Sequence, residues 1–308
     1  MTRKPVTNLP QSIHRRLLNR ARESGRTFNE LLQHYALERF LYRLSRSRYK
    51  TSLILKGALS FARNTDEFSR PTRDIDFLGK TANTIENIEN IIRQICTEKV
   101  EPDGLTFDPD TVQGQVIVED TDYSGVRTSF IGHLGNAKIF MQVDISFGDE
   151  VTPRPEKFDY PVILENLPQP TILRYTPESV IAEKLEAMVK LGEINSRIRD
   201  FYDIWYLSRN FSFDGELLSS AVLNTFQTRE TQIIAKPVAL TTTFSENPEK
   251  QTAYRAFMNR SIISNAPENL RELVQLIAEF ILPILEALDS SRSFKGRWKP
   301  GGPWSSSE

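Results

Sequence analysis

The sequence predicts a mixed α/β protein (α+β type), in which a mixed sheet flanked by helices is followed by a mostly helical C-terminal domain. Short apolar runs such as Leu53–Leu55 have the length of buried strands. After a turn at Pro102–Gly104, apolar residues alternate with period two, and this indicates strands near Val116–Val118, Val126–Ile131 and Lys138–Phe147. From residue 176 onwards, apolar residues recur every three or four positions, which indicates helices.

The same patterns divide the chain into four parts. We expect basic N-terminal helices packed on the core (1–50), the α/β core (51–170), a helical domain that completes the active site (171–289) and a flexible tail (290–308). The boundary at 170 follows a proline-rich crossing, after which Thr176, Pro177 and Glu178 provide a helix start. The tail is rich in Ser, Gly and Pro, but Trp298 and Trp304 are unusual there, and either docking onto the body or contact with a partner would explain them.

Composition and charge narrow the classes of protein to which the chain can belong. Its 308 residues are 39% hydrophobic and 26% charged, which is typical of a soluble globular protein. No apolar run approaches the roughly 18 residues of a transmembrane helix, and no secretory leader is visible, so we expect a cytoplasmic protein without membrane contact. The single cysteine, Cys96, excludes an internal disulfide, and three widely spaced histidines disfavour structural zinc.

The first fifty residues are strongly basic and form two predicted helices. They hold twelve Lys/Arg and three Glu, whereas the whole chain has a net charge of −1. The first helix starts near Pro10, and Thr27 and Glu30 form a capping box for the second. This basic segment is a candidate nucleic-acid surface, or simply a solvated helix face. A helix pair also resembles a ribbon-helix-helix DNA-binding unit, but such a unit needs an alternating strand before its first helix, and Thr2–Leu9 shows little alternation and contains Pro5.

Two carboxylates mark the predicted core. The strand at Leu53–Leu55 ends at Gly57, and a later strand carries Asp74 and Asp76, whose side chains share one face because strand residues alternate. Like charges this close repel each other, and a divalent cation relieves the repulsion. The pair is therefore a candidate Mg²⁺ site, although a solvated strand face would show the same pattern.

Further polar residues lie on other predicted elements. Asp144 is in the middle of the Lys138–Phe147 strand, on the opposite face from its apolar residues. This position resembles that of the third acidic residue of the nucleotidyltransferase superfamily, which lies on a strand next to the paired acids, and the resemblance implies a third metal ligand and activator of an attacking hydroxyl. The alternative is an edge-strand carboxylate that faces water. Lys184 lies beside the apolar stripe of the helix that starts at Pro177, where a lysine is usually a snorkelling side chain. Asp200 and Asp203 are one turn apart on the next predicted helix.

Four segments in order, LKGALSF, RPTRDIDF, IAEKLEAM and RIRDFYDIWYL, resemble the AbiEii/AbiGii nucleotidyltransferase toxins of type IV toxin–antitoxin and abortive-infection systems, over roughly Phe28–Leu207. The resemblance implies a nucleotidyltransferase-type fold. It implies that Gly57 forms the phosphate turn, that Asp74 and Asp76 bind metal, that Lys184 contacts the nucleotide phosphates and that Asp200 is the acidic residue of the fourth motif. Ala58 stands where the family often has Gly or Ser, so phosphate binding there depends on the backbone.

Within this resemblance Thr72 matches a hydroxyl position beside the active site, and Arg73 or Arg70 would assist Lys184 in offsetting the charge on leaving pyrophosphate. The expected cofactor is Mg²⁺ or Mn²⁺, and the substrate is an NTP. The acceptor implied by the family is the 3′ end of tRNA, with inhibition of translation and growth, and the implied partner is an antitoxin encoded nearby. Transfer to a small molecule, as in antibiotic nucleotidyltransferases, and a non-catalytic nucleotide- or DNA-binding regulator are the alternatives.

Overall fold

The computed structural model describes residues 8–62, 70–118, 124–148, 151–260 and 266–306. Their contacts divide the chain into two compact units. The first consists of the described parts of 1–148 and 156–174, and the second of the described parts of 149–155 and 175–308. The boundary therefore lies four residues beyond the predicted position at 170, because Thr171–Arg174 is a strand of the first unit's sheet.

The first unit is a mixed sheet with helices. Its elements, in chain order, are α1 (Leu9–Ser24), α2 (Phe28–Arg46), β1 (Leu53–Lys56), a 3-10 helix (Gly57–Phe61), β2 (Asp74–Gly79), α3 (Ile85–Cys96), β3 (Leu105–Val118), β4 (Ser124–Leu134), β5 (Ala137–Ser146), β6 (Glu156–Asp159) and β7 (Thr171–Arg174). The strand order is β3-β4-β5-β2-β1-β7-β6. β2 pairs with β5 and β1 with β7 in parallel, and the other neighbours are antiparallel, which confirms the predicted mixed α/β class.

The three helices cover one face of this sheet. α2 packs against β5 and β7, whereas α3 packs against β3 and β4. The strands present alternate apolar residues to the helices, including Ile75 and Phe77 of β2 and Val143 of β5, which belong to one buried cluster. The intervening residues of β2 and β5, among them the predicted site carboxylates, therefore lie on the opposite face.

α2 is a core helix, and this corrects the interpretation of the N-terminal charge. Arg39 and Arg43 are buried, the first against Glu38 at 2.8 Å and the second against Asp103 at 2.7 Å. The prediction of a basic surface is therefore wrong for these two arginines, because their guanidinium groups form ion pairs inside the protein. The predicted capping hydroxyl is confirmed, since the Thr27 side chain accepts from the Glu30 amide.

The second unit is mostly helical. Its elements are α4 (Pro177–Leu191), a 3-10 turn (Gly192–Ile194), α5 (Ile198–Asn210), β8 (Phe213–Asp214), α6 (Gly215–Thr228), a 3-10 turn (Val238–Leu240), α7 (Thr242–Ser245), α8 (Pro248–Arg260), α9 (Leu270–Asp289), β9 (Gly296–Trp298) and β10 (Trp304–Ser306). α4 starts as predicted, with the Thr176 hydroxyl accepting from the Ser179 amide. None of the helices in the described ranges is long and apolar enough to cross a bilayer.

The C-terminal segment is ordered, so the prediction of a flexible tail is wrong for residues 290–306. β9 and β10 form a three-stranded antiparallel sheet with β8. The Trp298 indole donates to the Ser208 carbonyl at 2.7 Å, and Trp304 stacks on Phe280 with the rings 6° from parallel. Docking onto the body thus explains both tryptophans. Residues 307 and 308 lie outside the described residues.

Candidate active site

The three predicted carboxylates of the core come together on neighbouring strands. β2 and β5 run in parallel with Asp74 opposite Gln142 and Asp76 opposite Asp144. Paired residues on adjacent strands point to the same face, so the three aspartates share the face that the first unit's helices leave uncovered. Asp144 is the most deeply buried of them, with 7% of its side chain exposed.

These acids belong to a row of charges across four strands. β4 places Arg127 opposite Asp144, and β1 places Lys56 opposite Asp76, so the order across the sheet is Arg127, Asp144, Asp76, Lys56. At about 4.8 Å per strand, the row spans about 15 Å. We call it the charge row. Neither flanking cation was predicted from the sequence, although the two-residue turn at Gly135–Asn136 sets the β4–β5 register and thus places Arg127.

Arg127 holds Asp144 in a two-point ion pair. Its Nε donates to Oδ1 at 2.8 Å and its Nη2 donates to Oδ2 at 2.7 Å. These hydrogen bonds to Asp144 raise the pKa of Arg127, and the charges of Asp74 and Asp76 act in the same direction. The guanidinium therefore acts as a fixed counter-ion for a cluster that would otherwise hold three like charges.

Gly57 makes room for Asp76. Its backbone is left-handed, with φ 65°. A Cβ atom at this position would lie 2.1 Å from Asp76 Oδ2, well inside any permissible contact. The glycine is thus required both by its own conformation and by the carboxylate beside it. The predicted helix after Gly57 is a 3-10 helix that ends at Phe61, and so short a helix supplies little aligned dipole for phosphate.

Thr72 orients the first carboxylate, while Arg73 and Arg70 lie near it in the chain. The Thr72 hydroxyl donates to Asp74 Oδ1 at 2.7 Å, so Thr72 fixes the carboxylate from two residues upstream. The Arg73 side chain is exposed, and its carbonyl accepts from Gln33 at 3.2 Å. Arg70 is half-buried. Ala58, beside the glycine turn, is buried and offers only its backbone.

The oxygen donors of this cluster fit a hard divalent cation. Mg²⁺ is commonly held by one or two carboxylates together with the phosphates of a substrate, and Asp74 and Asp76 supply such a pair. Among the residues that the structure describes, no three Asp, Glu, His or Cys side chains form a ready metal-binding group. Both Asp144 carboxylate oxygens accept hydrogen bonds from Arg127, and a third metal ligand at Asp144 stays a prediction.

The second unit carries a separate polar cluster. Lys184 of α4 lies 2.5 Å from Asp200 Oδ1 and 3.0 Å from Asp203 Oδ2, both on α5. Asp203 is fully buried, and the Lys184 side chain is 13% exposed. Lys184 is therefore held by two acids rather than extended along an apolar surface. Asp203 contributes to that fixation from within the buried interior.

Comparison with family models decides the classification. The model of the nucleotidyl transferase AbiEii toxin of type IV toxin–antitoxin systems matches residues 39–276, which is most of the chain. The chain belongs to the AbiEii family. It is accordingly a nucleotidyltransferase of a toxin family, and the matched range contains the charge row as well as Lys184 and Asp200.

Two solved structures from Helicobacter pylori resemble this AbiEii chain. One, provisionally described as a nucleotidyltransferase, is 18% identical, with a TM-score of 0.48, and the match covers 83% of this chain and 96% of that one. The other, JHP933, is 17% identical, with a TM-score of 0.47, over 84% of this chain and 95% of that one. No curated protein matches the chain.

Proposed function

We propose that this AbiEii-family enzyme transfers a nucleotidyl group from an NTP to the hydroxyl at the 3′ end of a tRNA, with Mg²⁺ or Mn²⁺ as cofactor. A tRNA modified in this way could not be charged, so translation and growth would stop. The charge row supports the chemistry, because it gathers acids for a cation and a hydroxyl between two positively charged residues. The AbiEii resemblance supports the acceptor.

Asp74 and Asp76 would hold the divalent cation in this proposal. When bound, that cation neutralises charge on the triphosphate and orients it. Thr72 keeps the Asp74 carboxylate in place through its 2.7 Å hydrogen bond. Gly57 allows Asp76 to stand against the backbone, where a side chain would displace it. Thr72 and Gly57 are therefore positioning residues: Thr72 positions the Asp74 carboxylate, and Gly57 leaves space for the Asp76 carboxylate.

Asp144 would act on the acceptor. It accepts the proton of the hydroxyl whose oxygen bonds to the α-phosphorus, while the bond from that phosphorus to the β-phosphate oxygen breaks and pyrophosphate leaves. The Arg127 ion pair keeps the Asp144 carboxylate aligned for this role. Most of the rate enhancement in such reactions comes from positioning and electrostatic stabilisation.

Lys184 would offset negative charge on the leaving pyrophosphate, with Arg73 or Arg70 in support. Asp200 and Asp203 each form an ion pair with the Lys184 ammonium, so its position is preorganised before the reaction. This assignment predicts that Lys184→Gln lowers the rate of transfer more than it weakens the affinity for NTP. The partner that restrains the enzyme is an antitoxin encoded nearby, as the type IV family implies.

The experiment uses purified protein, α-³²P-labelled NTPs and tRNA. We expect wild-type protein to label tRNA and Asp74→Ala to lose labelling by at least about a hundredfold, since it removes half of the cation's carboxylate pair. Asp110→Ala is the matched control, because this exposed acid lies on β3 outside the charge row, and it should label normally. Undiminished labelling by a correctly folded Asp74→Ala protein would refute the metal assignment.

The same assay separates the alternatives. Label that appears on a small hydroxyl compound and never on RNA would assign the enzyme to the antibiotic-type nucleotidyltransferases. Absence of transfer to any acceptor, together with normal growth when the wild type is expressed, would favour a non-catalytic regulator. Growth arrest that persists in the Asp74→Ala/Asp76→Ala protein would likewise contradict a catalytic toxin.

A further inference from the structure

The face of the sheet that carries the charge row continues into a polar platform. Register pairs on β4 and β5 place Ser129 beside Gln142, Ile131 beside Phe140 and His133 beside Lys138. On β4, residues 127, 129, 131 and 133 are half-exposed, whereas 126, 128, 130, 132 and 134 are buried. These half-exposed β4 residues and their register partners on β5 lie on the same face as Asp144, and together we call them the platform.

Phe140 is the unusual member of this platform. It is 58% exposed, among the most exposed large hydrophobic side chains in the described ranges. Its backbone is nevertheless fixed, because Gln33 of α2 donates to both the Phe140 carbonyl, at 3.1 Å, and the Arg73 carbonyl. An exposed aromatic ring on a rigid strand leaves an apolar surface in water, and a flat aromatic ligand can stack on that surface.

The groups around Phe140 indicate which flat ligand fits. Lys138 is exposed two residues away, and its register partner His133 adds an imidazole. Ser129 and Gln142 supply hydroxyl and amide groups on the other side, towards the charge row. Proteins bind single-stranded RNA with three kinds of group: cations that contact phosphates, aromatic rings that stack on bases, and polar groups that hydrogen-bond to ribose hydroxyls. The platform presents all three.

We infer that the platform binds the single-stranded 3′ end of the acceptor RNA, with one base stacked on Phe140. This inference rests on the proposed transfer reaction for its orientation. Phe140 and Asp144 are four residues apart on β5, which is about 13 Å in an extended strand. A chain whose terminal hydroxyl lies at Asp144 would thus place its preceding nucleotides along β5, with its phosphates near Lys138.

The test measures binding rather than transfer. A fluorescently labelled single-stranded RNA oligonucleotide is titrated with protein in EDTA and without NTP, and anisotropy is recorded. Loss of one base–aromatic stack costs about 1–3 kcal/mol, so Phe140→Ala should weaken binding about 5- to 150-fold. Phe140→Tyr should bind within about twofold of wild type, whereas Phe140→Leu, which keeps an apolar side chain without a ring, should bind nearly as weakly as Phe140→Ala.

Val116→Ala is the matched control. Val116 is 57% exposed, yet its register partner is the buried Val126, so it lies on the opposite face of the same sheet. This variant should bind RNA as wild type does. Equal affinity of Phe140→Ala and wild type would overturn the inference, as would an equal loss in Val116→Ala. A preference for duplex RNA, or for single-stranded DNA of the same sequence, would overturn it too.

The outcome is separable from that of the proposed reaction. Binding is also measured in the Asp74→Ala protein, where Phe140→Ala should produce the same fold loss, because stacking does not require the metal pair. A wild type that binds RNA through Phe140 but transfers no nucleotide would leave the platform standing and refute the reaction. A wild type that labels tRNA, with Phe140→Ala unchanged in RNA affinity and in KM for tRNA, would refute the platform alone.

Discussion

Replacement of Gly57 by alanine tests the closest contact in the candidate site. The left-handed backbone at φ 65° costs an alanine about 1–2 kcal/mol. The added Cβ would meet Asp76 Oδ2 at 2.1 Å and Cγ at 2.9 Å, so the carboxylate must move, and forced overpacking adds about 1–3 kcal/mol. We therefore expect Gly57→Ala to destabilise the protein by about 2–5 kcal/mol and to abolish transfer.

Gly25→Ala separates the two contributions. Gly25 has φ 70°, but nothing lies within 4 Å of a Cβ built there, so only the backbone cost of about 1–2 kcal/mol applies. Chemical denaturation of both variants gives the difference, which is the cost of the collision. In an Asp76→Ala background the Gly57→Ala cost should fall most of the way to that of Gly25→Ala, because only the 3.1 Å contact with the Cβ atom of residue 76 is left. Equal stabilities of the two single variants, with transfer retained in Gly57→Ala, would refute the collision with Asp76.

Two further predictions concern ionisable side chains. Arg127→Ala should lower the free energy of unfolding in EDTA by about 1–3 kcal/mol, because a buried carboxylate loses two charge-assisted hydrogen bonds, while the 36% exposure of the guanidinium limits the loss. Added Mg²⁺ should recover part of this stability. An unchanged melting temperature in EDTA would contradict the prediction. His34, hydrogen-bonded to Tyr160 at 2.9 Å, has its pKa lowered to about 3, chiefly by burial and secondarily by Arg26, so the fold keeps it neutral while the unfolded chain protonates below about 6.5. The free energy of unfolding therefore falls as the pH is lowered from about 6.5 towards 3, by about 2 kcal/mol at pH 5. Urea titrations at a series of pH values should show a smaller fall for His34→Gln than for wild type. Parallel curves of stability against pH for the two proteins would contradict this assignment.

The local part of the site could be predicted from the sequence. Alternation along a strand places Asp74 and Asp76 on one face, and this needs no knowledge of the rest of the fold. The position of Asp144 beside Asp76 came from family resemblance, because parallel pairing of distant strands leaves no local signal. Arg127 was within reach, since a two-residue hairpin turn determines which β4 residue stands opposite Asp144.

Other features depend on contacts that a linear pattern does not contain. The approach of Gly57 to Asp76 and the placement of Lys56 both follow from the antiparallel register of β1 and β2, whose connection is long. The charge count of the first fifty residues could not distinguish exposed arginines from Arg39 and Arg43, which are buried against acids. Composition also misjudged the tail, where a few aromatic contacts outweigh many small polar residues.

The division of the chain into two units has a consequence for inheritance and engineering. The first unit ends with a strand, Thr171–Arg174, that follows residues 151–155 in the chain, and these residues belong to the second unit. Leu55 of β1 pairs with Arg174 across more than a hundred residues, a non-local contact of the kind that slows folding. No single cut releases both units intact, so gene fission or recombination at one junction would separate β7 or the 151–155 segment from its own unit. Exchange of the helical half between relatives therefore requires several coordinated junctions.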